Sequence, residues 1–247
     1  MKLFHKNEVT FAVILIVIYV VGYSVMQRVS DAAGIAFLAE MIFSAAMSAG
    51  LLLFIRKNRL FDYLGLKKPE ISASKMLFYI PLFLMALAPA FFGFGMDYSP
   101  AVSVLRTVMM TGVGFLEEVI FRGFLFRGIA KENLTRAVVI SSLTFAIGHF
   151  VNLLNGSDLF SNTLQVIYAV AVGFLMVFIF MRTSSLIACI VFHAFNNCMT
   201  AFATGNALID RVGETNATMI NLGIRLAIAG AYLLYVSKLP KKELPAK

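Results

Sequence analysis

Residues 9–27, VTFAVILIVIYVVGYSVMQ, contain no charged side chain. As a helix this stretch would rise about 28 Å, close to the ~30 Å hydrocarbon core of a bilayer. Seven further stretches read the same way, at 32–55, 75–95, 101–129, 135–152, 163–181, 184–204 and 217–237. The separators are polar: Asp97, Ser99 and Pro100; Asn152, Asn155, Gly156, Ser157 and Asp158; and the run from Thr204 to Asn216. The expected fold is all-α, a polytopic membrane helix bundle of about eight transmembrane helices forming one domain over residues 1–247.

Composition agrees. Apolar residues make up 60% of the chain and charged residues 14%, against about 45–50% and about 25% in soluble domains. These values exclude a disordered chain, a coiled coil and a water-soluble nucleic-acid-binding domain, so no nucleic-acid partner is expected. Two Cys are too few for a disulfide framework, and both lie in the stretch 184–204. The net charge is +8, and its distribution orients the chain. With the N-terminus inside, the cytoplasmic segments carry Lys2, Lys6, Arg56, Lys57, Arg59, Lys67, Lys68, Lys75, Lys131, Arg136, Arg182, Lys238, Lys241, Lys242 and Lys247. The outer loops carry Arg28 and Arg211. This asymmetry follows the positive-inside rule and places both termini in the cytoplasm, which requires an even number of crossings. The basic start followed by an apolar run mimics a signal peptide, but the run is long and no small-x-small cleavage site follows it directly; it reads as a retained first span. The basic segment 56–75 reads as a cytoplasmic loop on anionic headgroups.

A charge at the centre of a span costs about 2.5–3.5 kcal/mol on insertion scales, so intramembrane polar residues are informative. They are Glu40, Arg106, Glu117, Glu118, Arg122, Arg127, His149, His193, Asn196, Asn197 and Arg225. Three clusters stand out. In Glu117-Glu118-Val119-Ile120-Phe121-Arg122, Glu118 and Arg122 share a helix face and can pair, while Glu117 points about 100° away. Phe145 and His149 share a face in the fifth stretch, and His193 and Asn197 in the seventh. Counted from the cytoplasmic helix ends, Glu117, His149 and His193 lie about 18, 21 and 14 Å deep, so they can converge on one cavity within the bilayer. A carboxylate there can take a proton from water, and imidazole or amide groups can stabilise the resulting oxyanion. A buried structural ion network is the competing reading of the same residues.

The three motifs in order, E-E-x-x-x-R at Glu117, Glu118 and Arg122, F-x-x-x-H at Phe145 and His149, and H-x-x-x-N at His193 and Asn197, resemble the CPBP family of intramembrane proteases (CAAX-protease and bacteriocin-processing, or Abi). The resemblance spans about residues 100–205. It implies an endopeptidase acting on membrane-associated protein or peptide substrates, in CAAX-type processing or in bacteriocin maturation and self-immunity. Carried over by motif position, Glu117 is the general base, assisted by His149; His193 and Asn197 form the oxyanion-stabilising pair; Glu118, Arg122 and Phe145 support them. The family has also been described as metal-dependent. In that case Glu117, His149 and His193 are the ligands of a divalent metal such as zinc. Asn197 suits a hydrogen-bond donor better than a zinc ligand, which favours a site without a cofactor. Two non-proteolytic readings stay open: a membrane immunity or scaffold protein that binds a bacteriocin or partner, and a small proton-coupled transporter.

Overall fold

The computed structural model describes residues 2–204 and 206–242; Lys247 and the side chain of Lys2, both counted above among the cytoplasmic basic residues, lie outside them. In chain order the helices are α1 (Lys2–Lys6), α2 (Glu8–Ala33), α3 (Leu38–Lys57), α4 (Ile80–Leu87), α5 (Pro100–Glu117), α6 (Arg127–Ala130), α7 (Leu134–Gly148), α8 (Val151–Leu154), α9 (Leu159–Thr183), α10 (Ile187–Met199), α11 (Asn206–Val212) and α12 (Glu214–Ser237). Among the described residues there is no strand, only an isolated bridge between Phe94 and Ala203. The fold is all-helical, as the hydropathy pattern requires.

Among the described residues, six helical stretches are long and apolar enough to cross a membrane: Glu8–Ala33, Leu38–Lys57, Ala73–Phe92, Leu134–Leu154, Leu159–Thr183 and Glu214–Ser237. Six is fewer than the eight stretches read from the sequence, for two physical reasons. The continuous helical run 100–130 carries Arg106, Glu117, Glu118, Arg122 and Arg127. The α10 helix has only 13 residues. The third stretch is helical but irregular. Two 3-10 turns, Ala73–Tyr79 and Ala88–Phe92, flank α4, and Pro81 and Pro89 each remove a backbone donor there.

The loops gather at two ends. At one end, Tyr63 donates to Glu8 Oε2 at 2.5 Å, and Lys131 Nζ lies 2.7 Å from Glu8 Oε1. The Arg127 guanidinium stacks 4.2 Å from the Tyr63 ring. Burial, followed by the bond to Glu8, pushes the Tyr63 phenol above its ordinary range, so it remains a donor. Leu186 N–H donates to Gly65 C=O at 2.7 Å and Glu70 N–H to Thr183 C=O at 2.9 Å, which joins the 60–70 loop to the α9–α10 turn. Arg182 Nη2 reaches Ser237 C=O at 2.7 Å, satisfying a carbonyl at the end of α12. At the opposite end, Gly95 N–H donates to Phe202 C=O at 2.9 Å, and Arg106 stacks 5.6 Å from both Phe37 and Tyr98. The Lys and Arg of the N-terminus, the 56–75 loop, residues 127–136 and 238–242 therefore share one end of the bundle.

Helix α10 packs against α5, and Gly114 sets how close the two come. A Cβ at Gly114 would lie 2.6 Å from the Ala194 backbone N, inside contact distance of backbone that cannot swing away. This approach places the end of α5 against His193. We expect Gly114→Ala to cost about 1–3 kcal/mol through overpacking, read as a lower Tm in detergent. Gly230→Ala is the control, because a Cβ there meets nothing within 4 Å.

Candidate active site

The chain departs from α geometry where the paired acids sit. After Glu117 it passes into a wider π-helical segment, Glu118–Phe126, which is buried throughout. Such turns are rare and concentrate at functional sites. From here both carboxylates reach the same partner. His193 Nε2 lies 3.2 Å from Glu117 Oε2, and His193 Nδ1 lies 2.8 Å from Glu118 Oε1. Arg122 Nη1 donates to Glu118 Oε1 at 2.9 Å, so the pair read from the i, i+4 spacing forms. Arg122 also stacks on the Phe145 ring at 4.2 Å and points Nη2 at Gly173 C=O, 3.5 Å away. Glu118 and Arg122 are 0% exposed, whereas Glu117 keeps 7% and His193 5%.

That difference in exposure separates the two acids. Glu118 is sealed between Arg122 and His193. Glu117 faces a cavity of about 350 Å³, whose lining includes Phe121, Phe145, His149, His193 and Asn197. Its Oε1 accepts a hydrogen bond from Tyr19 OH at 2.8 Å. Tyr19 comes from α2 and lies outside the three motifs that mark the site in the sequence. The available signal was a tyrosine pair, Tyr19 and Tyr23, one turn apart in an otherwise apolar span.

Phe145, His149 and Asn197 line the same space. His149 is the C-cap of α7, not a mid-helix residue: the helix ends at Gly148, and Asn162 Nδ2 donates to the His149 carbonyl at 2.9 Å. The uninterrupted fifth helix read over 135–152 is therefore broken by a turn before α8. The His149 ring packs edge-on against Phe145, centroids 5.2 Å apart, and among the described residues makes no hydrogen bond. Phe145 also meets His193 edge-on at 5.6 Å, so one ring holds both imidazoles in place. Asn197 lines the cavity and accepts a bond of 3.4 Å from Asn196 Nδ2 through its Oδ1, leaving its own amide N–H groups free of protein partners among the described residues.

The remaining intramembrane charges have separate partners. Glu40 accepts from Ser30 Oγ. Arg106 reaches Thr200 Oγ1 at 3.3 Å, and Arg225 reaches Asn196 Oδ1 at 2.6 Å. Cys189 is buried with its thiol toward Met176 C=O, and both cysteines are free.

A zinc site was the alternative use of these residues. Among the described residues no three His, Cys, Asp or Glu side chains gather closely enough to share a metal ion. Both His193 nitrogens are turned to carboxylates, so Glu117, His149 and His193 as arranged do not fit a zinc centre.

Chemically, the site pairs a sealed Glu118–Arg122 ion pair with a cavity-facing Glu117, and His193 connects the two. Removing one partner of a buried pair strands the other, at about 3–5 kcal/mol, whereas replacing both by apolar groups of like volume is far milder. Arg122→Met should therefore lower Tm sharply, and the double variant Arg122→Met with Glu118→Leu should recover much of that loss in a thermal melt.

Comparison with known proteins agrees with the motif resemblance. Residues 99–199 match the family model described as type II CAAX prenyl endopeptidase Rce1-like. No curated protein and no solved structure matches the chain. The matched segment runs from Ser99, the N-cap of α5, to Met199, the last residue of α10, and so contains both acids, both histidines and Asn197. The segment 99–199 of this all-helical chain accordingly matches an Rce1-like domain, in agreement with the resemblance to the CPBP family.

Proposed function

We propose that the protein is an intramembrane endopeptidase in which Glu117 activates water without a metal ion, and that its helical columns make eight crossings with both termini in the cytoplasm. The two columns beyond the six apolar ones are the polar run 100–130 and the short α10. The polar run can cross because its charges are paired inside the bundle, as intramembrane charges usually are.

The observation that carries the reading is the asymmetry of the acid pair. Glu118 is neutralised by Arg122 and closed off, while Glu117 faces a cavity large enough for a peptide segment and water. In the proposed reaction a water held by Glu117 attacks the scissile carbonyl carbon. Glu117 takes the proton and the carbonyl oxygen becomes an oxyanion. The tetrahedral intermediate collapses with cleavage of the C–N bond, and the same proton passes from Glu117 to the leaving amine. Tyr19 fixes the orientation of Glu117 through Oε1. The free amide of Asn197 and the imidazole of His149 are the available oxyanion donors, while the two nitrogens of His193 hold Glu117 and Glu118 in register. Phe145 positions both rings.

A non-catalytic immunity or scaffold protein would use the same cluster only to hold helices together. The isosteric change Glu117→Gln separates the readings. A general base contributes about 10²–10⁴-fold, so Glu117→Gln should abolish cleavage while the protein still inserts and melts near the wild-type Tm. Membrane peptides that accumulate uncut in Glu117→Gln cells, compared with wild type, would be the substrates. Unchanged processing would remove Glu117 from the chemistry. Tyr19→Phe, which loses one bond to a carboxylate, should slow cleavage about ten-fold or more without unfolding the protein.

A further inference from the structure

The cavity has a direction. Its floor is buried: Phe121, Phe145, Glu117 and His193. Its rim is not, since Gln165 and Thr200 are exposed and Arg106 and Asn152 half-buried. All four rim residues belong to one end of the bundle. Asn152 Nδ2 donates to Gln165 Oε1 at 3.0 Å, and Arg106 reaches Thr200. Phe37 and Tyr98 flank Arg106 at this end. A second cavity of about 290 Å³ opens beside the first; it shares Gln165 and is lined by Tyr168, Asn221 and Arg225. The two spaces together make a groove across the rim.

The charges of that end differ from those of the other. Among the described residues, the Lys and Arg of the rim end are Arg28, Arg106, Arg211 and Arg225, against the acids Asp31, Glu40, Asp97, Asp158, Asp210 and Glu214. The opposite end collects the basic loops around Glu8, Tyr63 and Lys131. Lys and Arg are retained on the cytoplasmic side of short loops. The rim is therefore the extracytoplasmic end.

We propose that this protease takes its substrate from the extracytoplasmic face: an exported peptide, or the outer juxtamembrane segment of a membrane protein, laid along the groove with its scissile bond lowered to Glu117. This rests on the proteolytic reading above and specifies its substrate class. A prenylated C-terminus held at the cytoplasmic surface would meet the basic end, where Glu118, Arg122 and the buried π-helical segment lie between it and Glu117.

Two measurements test it. Single-cysteine variants Gln165→Cys and Ser157→Cys at the rim end, and Glu132→Cys at the basic end, are treated in intact cells with a membrane-impermeant maleimide. We expect labelling at 165 and 157 in intact cells, and at 132 only after permeabilisation. Labelling of the rim positions only after permeabilisation, or equal labelling of both ends in intact cells, overturns the orientation. This readout needs no activity. Separately, peptides that differ between wild-type and Glu117→Gln cells should map to exported or outer segments. Cleavage sites in cytoplasmic segments overturn the substrate class even if the protease reading holds. An absence of any difference overturns the protease reading, and the substrate class with it, while the labelling still reports the orientation.

Discussion

Two carboxylates, an imidazole and a guanidinium are buried together where water is scarce, and the arrangement around them follows from the need to neutralise that charge. Glu118 and Arg122 pair at 2.9 Å with no exposed surface. His193 then stands between the two acids, a ring nitrogen toward each. Arg122 offsets the charge of Glu118, and His193 gives each acid a close partner. An unpaired ion in the same place would carry several kcal/mol of desolvation cost. The close packing of α5 on α10 at Gly114 keeps His193 within reach of both acids.

Neutralising the cluster also divides the work. Glu118 is held by Arg122 and His193 and faces no cavity. Glu117 keeps an edge toward open volume, with Tyr19 binding one oxygen and His193 the other. A carboxylate fixed in this way, with uncommitted donors on His149 and Asn197 nearby, is preorganised for water activation and oxyanion stabilisation. The same geometry gives the cavity a closed floor and a polar rim, and so an entry side.

Much of this was legible in the sequence. The apolar stretches between polar separators located the helices, and the cost of charge in hydrocarbon selected Glu117, Glu118, Arg122, His149 and His193. The i, i+4 spacing gave the Glu118–Arg122 contact. What was not legible depends on contacts between helices. The break at His149 is stabilised by Asn162 from α9. The π-helical segment that follows Glu117 has no signature in residue spacing. That one imidazole meets both acids depends on how closely α10 lies against α5. Tyr19 reaches Glu117 across 98 residues, and nothing local to either residue foretells that bond. The partner of Glu40, Ser30, lies just across the α2–α3 turn, where the left-handed Gly34 and Phe37 close the chain back on itself.

In the proposed mechanism a buried carboxylate, Glu117, and not a bound metal ion, activates the water. Turnover measured on protein of known metal content tests it most directly, using a peptide identified as uncut in Glu117→Gln cells. Chelator-treated protein containing far less than one zinc per chain should cleave fully, with no gain on adding zinc. A rate that falls in proportion to metal removed, and returns with stoichiometric zinc, would contradict it.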